Sequence, residues 1–157
     1  PGHSSAASDV YKRQVFDTYY KSHDQYLEDH RDGYQTVGDI AYVDNEGYYF
    51  ICDRKKDMII TGGVNVYPAE IENVLDDHPQ VAEVAVFGIP DDEWGEAVCA
   101  VIVCMDNLNE KELINFAKER LSGPKVPKKV FIRSDLPKTG SGKVLKRELK
   151  QWVQENS

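Results

Sequence analysis

Met58-Ile59-Ile60-Thr61-Gly62-Gly63-Val64-Asn65-Val66-Tyr67-Pro68-Ala69-Glu70-Ile71-Glu72-Asn73-Val74-Leu75 is the stretch from which the fold is read. Two short apolar runs flank Thr61-Gly62-Gly63, the pattern of a tight β-hairpin with glycine at its turn. Pro68 then stands where the first turn of a helix tolerates a residue without an N–H, and Glu70 and Glu72 follow near the positive end of the helix dipole. Ile71, Val74 and Leu75 recur at i, i+3 and i+4, so a short amphipathic helix is expected, ending before Pro79. On this reading Glu70 and Glu72 are helix-start charges without catalytic work.

Downstream, Val81 to Phe87 and Ala97 to Cys104 are apolar enough for buried strands, separated by an acidic loop that carries Trp94. Trp94 reads first as a core residue beneath that loop and second as a surface stacking platform for an adenine. Asn109 can cap a helix over Glu110 to Leu121, with Leu113, Ile114, Ala117 and Leu121 on one face. Val130-Phe131-Ile132 makes a last strand, and Leu145, Leu149, Trp152 and Val153 mark a terminal helix. The order hairpin, helix, strand, strand, helix, strand, helix gives an α+β fold, a short sheet covered by helices.

Upstream, Tyr34 to Cys52 alternates polar and apolar residues around Asp44-Asn45-Glu46-Gly47, a further hairpin with Gly47 at its turn. The charged run Asp53 to Asp57 breaks the pattern, as a linker between folded units does. Pro1 to Gln14 are small and polar, lack the apolar stretch of a secretory signal, and are read as a non-native or disordered tail outside the fold.

The chain has a formal charge of −8, unevenly placed. Lys125 to Lys150 holds nine Lys and Arg against Asp135 and Glu148, a local +7, which leaves the remainder at −15. A basic strip of this size suits a polyanionic small ligand. Nucleic acid is disfavoured, since overall acidity repels a long phosphate backbone and no aromatic residues interleave with these lysines. For Lys146, Arg147 and Lys150 a solvated helix face is an equally good reading. No apolar run reaches transmembrane length. Cys52, Cys99 and Cys104 are odd in number and lack Cys-x-x-Cys spacing, so small buried residues in a reducing cytoplasm are expected, with neither disulfide nor zinc. His3, His23, His30 and His78 stand singly and are read as surface residues, so no metal site is expected.

Four motifs occur in a particular order: Asp53-Arg54-Lys55-Lys56-Asp57 with Ile59-Ile60-Thr61-Gly62-Gly63; Tyr67-Pro68-Ala69-Glu70-Ile71-Glu72; Asp91-Asp92-Glu93-Trp94-Gly95-Glu96; and Pro137-Lys138-Thr139-Gly140-Ser141-Gly142-Lys143. Together, over about Val15 to Trp152, they resemble the carboxy-terminal region of AMP-forming acyl-CoA synthetases, members of the acyl-adenylate-forming superfamily. The resemblance implies the end of a large adenylate-forming domain over 15–53, a hinge at 54–57 and a mobile small domain over 58–157. Such enzymes join a carboxylic acid to ATP as an acyl-adenylate and then to CoA as a thioester. Their phosphate loop, the glutamate that holds Mg²⁺ and the acyl pocket belong to the large domain, against which the small domain packs. None of those features is found in this sequence, so the fragment is expected to be inactive alone.

By the same resemblance Lys143 is the catalytic lysine, whose cation stabilises charge that accumulates on the α-phosphoryl oxygens during adenylation. Read alone, it is an exposed lysine after a flexible turn whose Gly140 and Gly142 let the backbone approach a ligand, ahead of a helix N-terminus that could face an anion. Pro137 and Val144 stand where a Walker loop needs glycine and Ser/Thr, which excludes that motif. Asp39, within Thr36-Val37-Gly38-Asp39, matches the aspartate that accepts from both ribose hydroxyls, and Arg54 the arginine that grips the nucleotide nearby. Val37 is an irregularity in that motif. Lys56 takes the hinge position, and Gly62 and Gly63 would border the pantetheine arm of CoA. The run Asp-Arg-Lys-Lys-Asp-Met-Ile-Ile followed by Gly-Gly-Val-Asn-Val-Tyr-Pro-Ala-Glu-Ile-Glu looks like fatty-acyl or aryl-CoA ligases. Alternatives are a ligase that loads a carrier-protein arm and a free-standing, non-catalytic binding module.

Overall fold

The computed structural model describes residues 21–31, 34–36, 38–105 and 108–156. Residues 1–14, read above as a tail that includes His3, lie outside the described residues, as does Val37. Two compact units meet in sequence between Gly38 and Asp39. In the smaller, helix α1 (His23–Asp29) leads into strand β1 (His30–Arg31), which pairs antiparallel with β2 (Tyr34–Gln35). The His30 ring lies 5.3 Å from that of Tyr26.

The larger unit starts with the hairpin of β3 (Asp39–Val43) and β4 (Tyr49–Arg54). Its turn uses Gly47 at φ +89°, as expected, but also Asp44, whose Oδ1 accepts from the N–H groups of Glu46 and Tyr48 at 2.9 Å each. Asp53 and Arg54 continue strand β4, and only Lys55–Asp57 leave it, as one turn of 3₁₀ helix.

Next come β5 (Ile59–Thr61), β6 (Val64–Val66), helix α2 (Pro68–Asp76), β7 (Val81–Asp91), β8 (Gly95–Cys104), α3 (Glu110–Lys118), β9 (Lys129–Arg133) and α4 (Lys146–Glu155). Both long strands exceed their apolar runs: β7 continues to Asp91 and β8 begins at Gly95, which shrinks the acidic loop to a tight turn. β8 is the spine of a five-stranded sheet. It pairs antiparallel with β7 along its whole length, parallel with β9 from Cys99 to Val103, and meets β5 where Thr61 faces Gly95.

Successive side chains of a strand point to opposite faces, and both faces of β8 are covered. Val98, Ala100 and Ile102 belong to a core with Ile71 and Leu75 of α2 and Leu113 and Ala117 of α3. Ala97, Cys99 and Val101 belong to a second core with Ala85, Phe87 and Ile89 of β7 and Leu149 and Val153 of α4. This explains why β8 reads as an unbroken apolar run. The fold is α+β with helices on both sides of the sheet, as expected from the order of elements.

Asn109 closes the capping box at the start of α3: its Oδ1 accepts from the Glu112 N–H at 3.0 Å, and Glu112 Oε2 accepts from the Asn109 N–H at 3.4 Å. The helix ends at Lys118, short of the expected Leu121, where the chain tightens: the Arg120 N–H donates to the Ala117 carbonyl three residues back at 3.1 Å. Leu121 still reaches the core. Among the described residues no helix is long and apolar enough to cross a membrane.

Candidate functional site

Lys143 sits on a small closed loop. Lys138 and Val144 form an antiparallel bridge, the Thr139 N–H donates to the Lys143 carbonyl at 2.8 Å, and the Gly142 N–H donates to the Thr139 carbonyl at 2.9 Å. Thr139 Oγ1 accepts from the Lys143 N–H at 3.1 Å and lies 2.9 Å from Ser141 Oγ. Gly142 has φ +83°, a conformation glycine adopts without steric cost, and this sets the direction of Lys143. The amides of Thr139, Gly142, Lys143 and Leu145 are thus consumed within the loop. The Lys143 side chain itself is exposed. Among the described residues its ammonium has no ion-pair partner.

Asp39 and Arg54, fifteen residues apart in sequence, are directly opposite in the β3–β4 register. Arg54 Nε lies 3.7 Å from Asp39 Oδ1, and both side chains stay open to solvent. The pair therefore presents a carboxylate and a guanidinium side by side. Lys56 is exposed in the 3₁₀ turn that follows β4.

Gly62 and Gly63 form the β5–β6 turn with φ of +55° and +77°. The Gly62 N–H donates to the Trp94 carbonyl at 2.9 Å, and a Cβ at Gly62 would lie 2.8 Å from Trp94 Cε3. Glycine is needed here for contact as well as for torsion. Trp94 is 36% exposed, with Lys128 Nζ 4.7 Å from its ring centroid, so the preferred reading as a core residue is corrected. The physical reason is the shortened turn: Asp91 Oδ1 accepts from the Glu93 and Trp94 N–H groups at 3.0 Å each and lays the indole across the neighbouring hairpin.

Glu70 and Glu72 lie near the start of α2 and each carries an ion pair. Glu70 Oε1 meets Lys125 Nζ at 2.6 Å, and Glu72 Oε1 meets Lys146 Nζ at 2.8 Å while accepting from the Val86 N–H at 2.8 Å. Lys146 is therefore an anchored residue and not a solvated one. His78 turns its ring edge-on to Phe116 at 4.8 Å, and its Nδ1 accepts from the Gln80 N–H. Of the cysteines, Cys99 is buried and Cys52 and Cys104 are half-buried, all free thiols. Burial pushes the Cys99 thiol up from 9.0 to about 12, against a smaller opposing pull from Lys129.

Residues 70–143 match the family model of the AMP-binding enzyme C-terminal domain. That segment is an AMP-binding enzyme C-terminal domain. A 2-succinylbenzoate–CoA ligase of Bacillus cereus is 43% identical over 137 residues, 87% of this chain and 28% of that ligase. ATP-bound MatB from Rhodopseudomonas palustris superposes with a TM-score of 0.81 at 38% identity, over 90% of this chain and 29% of that one. The o-succinylbenzoate CoA synthetase of Bacillus subtilis, in complex with its acyl-adenylate intermediate, superposes with a TM-score of 0.79 at 40% identity, over 87% and 28%. The chain thus spans under a third of the length of these relatives.

Within this AMP-binding enzyme C-terminal domain the structure adds residues that motif reading did not single out. Glu96 Oε2 accepts from the Ile60 N–H at 2.8 Å and steadies the Gly62–Gly63 hairpin from below. Gly88 leaves room for it, since a Cβ there would lie 2.8 Å from Glu96 Oε1. Lys128 comes to Trp94 from the segment before β9, where its N–H donates to the Val98 carbonyl at 2.8 Å. Glu96 stood in a quoted motif, which was a usable signal; Lys128 carried none beyond its place in the basic strip.

Proposed function

We propose that this chain is the carboxy-terminal part of an AMP-forming acid–thiol ligase, with residues 15–53 ending a large domain, 54–57 a hinge and 58–157 the mobile small domain. The observation that carries this reading is the exposed Lys143, without an ion-pair partner among the described residues, on a loop closed by its own hydrogen bonds. In the first half-reaction a carboxylate oxygen attacks the α-phosphorus of ATP, the bond from that phosphorus to the bridging oxygen breaks, and pyrophosphate leaves. A fixed ammonium beside the phosphoryl oxygens lowers the energy of that charge-rich transition state. Asp39 would accept from the ribose hydroxyls, and Arg54 would add a cation at the nucleotide.

In the second half-reaction the CoA sulfur attacks the acyl carbon and AMP leaves. Gly62 and Gly63 would border the pantetheine arm, and the half-exposed indole of Trp94 with Lys128 offers a flat face and a positive charge next to that turn. Mg²⁺ neutralises phosphate charge when bound. By the family resemblance its ligand would lie in the large domain. Relatives named for 2-succinylbenzoate and for fatty acyl chains support a fatty-acyl or aryl acid as substrate. Three free thiols support a reducing, cytoplasmic setting.

The β3–β4 hairpin supports the assignment of residues 15–53 to the end of a large domain. Tyr42, Val43, Tyr49 and Ile51 are each at least half exposed, an apolar surface that the rest of such a domain would bury. The test is Lys143→Ala in a two-domain enzyme that carries this chain. Adenylate formation should fall by roughly 10²–10³-fold, with thioester formation from supplied acyl-adenylate retained. Equal loss of both half-reactions would remove Lys143 from the role given to it.

A further inference from the structure

We propose that Glu72 and Glu83 are positioning residues for Lys143, an inference that rests on the adenylation role given to that lysine. The loop has a lysine at each end. Lys138 Nζ meets Glu83 Oε2 at 2.8 Å, and Lys146 Nζ meets Glu72 Oε1 at 2.8 Å. These carboxylates come from 55 and 74 residues earlier in the chain, from the start of β7 and from α2. Glu72 is itself held, because the same oxygen accepts from the Val86 N–H.

Apolar packing secures only one side of the loop, through Leu136 and Val144 on the core beneath α4. The other side opens on a cleft of about 410 Å³ lined by Glu72, Asp76, Glu83, Lys138, Gly142 and Val144. Across that cleft the two ion pairs add polar ties from the loop to α2 and to the start of β7, beside the apolar contact of Leu136 and Val144 with Ala85, Phe87 and Ile89. The Glu72–Lys146 pair is the more shielded, with side chains 24% and 27% exposed against 37% and 40% for Glu83 and Lys138. The pairing also sorts the charges. Of Lys138, Lys143 and Lys146, the outer two are neutralised, which leaves Lys143 as the cation free to meet a phosphate. The clamps further make one rigid piece of the Lys143 loop and the helix that follows the Gly62–Gly63 hairpin.

The experiment has two arms. In the 157-residue chain, fast amide exchange at Thr139, Gly142 and Lys143 is compared for the parent sequence, Glu72→Gln, Glu83→Gln and the double variant. Glutamine keeps an acceptor for the Val86 N–H and removes only the charge. Exchange should rise about two- to fivefold for each single variant and roughly tenfold for the double, while amides of β8 keep their protection. Unchanged loop exchange in the double variant overturns the proposal, whatever Lys143 does in catalysis.

In the two-domain enzyme the double variant should lower single-turnover adenylate formation by about tenfold and leave thioester formation from supplied adenylate intact. The charge exchange of Glu83→Lys with Lys138→Glu should recover most of the loss caused by Glu83→Gln. Full adenylation despite a loosened loop, or equal loss of both half-reactions, overturns the positioning role. Lys143→Ala is measured alongside: if it adenylates at the parental rate, the functional reading itself fails, and that result is separate from the exchange data.

Discussion

The Asp53 carboxylate reaches across the 3₁₀ turn at Lys55–Asp57 to the start of helix α2, where its Oδ2 accepts from the Ala69 N–H at 2.9 Å. Its Oδ1 accepts from the Arg54 N–H at 2.7 Å, so both oxygens are engaged. Tyr67, the residue that precedes the helix, offers no side-chain cap. A carboxylate supplied from sixteen residues earlier does the work of a cap and joins the hairpin to the sheet domain.

Asp53→Ala should therefore cost about 1 kcal/mol of stability, the usual worth of a lost N-cap, and Asp53→Asn less, since it keeps an acceptor. Urea denaturation gives the totals. Faster exchange of the Ala69 amide in Asp53→Ala, with α3 unaffected, localises the effect to the first turn of α2.

On the proposed hinge, that same hydrogen bond spans Lys56 and has to break or move when the small domain swings. Lys56→Pro fixes φ at the turn and restricts Lys55, so in a two-domain enzyme it should hold one pose. Adenylate formation should persist and transfer to CoA should fall steeply, the inverse of the pattern expected for Lys143→Ala. Unimpaired thioester formation in a single-turnover assay would place the hinge elsewhere.

Gly62 and Gly63 look alike in sequence but differ in surroundings. At Gly63 a Cβ meets nothing within 4 Å, so Gly63→Ala should cost only about 1 kcal/mol for its positive φ. At Gly62 the Cβ meets the Trp94 ring as well, and Gly62→Ala should cost about 2–3 kcal/mol. Combining Gly62→Ala with Trp94→Ala should cost less than the two single changes together, because the contact that strains the first is absent. Strict additivity in denaturation would show that the indole does not rest on Gly62.

Cys99 gives a pH dependence with a definite sign. Its thiol ionises near 9.0 when unfolded and only at about 12 when folded, so between those values the unfolded chain binds fewer protons. Stability is fully present below the lower value and is lost as pH rises through the window. The urea midpoint of the parent chain should fall more between about pH 8 and 10.5 than that of Cys99→Ala. Parallel pH profiles for the two chains would mean that the thiol ionises equally in both states. Iodoacetamide under native conditions should label Cys52 and Cys104 before Cys99.

Most of the elements were legible because their signals are local. The glycine pair, Pro68 ahead of an i, i+3, i+4 apolar face, and Asn109 with Glu112 each specify a turn or a helix end within a few residues. The two positions that form the Asp39–Arg54 pair were also named from sequence, although their direct opposition follows from the β3–β4 register and a shift between Ile40 and Ala41. Strand ends were less legible: Pro90, Asp91, Gly95 and Glu96 still pair, since a partner strand fixes where the ladder stops.

What the sequence by itself determined is the α+β order of elements, the family resemblance, and the identity of the residues that stand at the candidate site. Periodicity, turn chemistry and motif order are all properties of neighbours along the chain. Only the tertiary structure decided what those residues touch: that β9 runs parallel to β8, that Trp94 covers Gly62 instead of entering the core, and that Glu72 and Glu83 hold the two lysines around Lys143. Each joins residues far apart along the chain. A carboxylate on a helix looks the same in sequence whether it faces water or a lysine, and only packing brings that lysine to it.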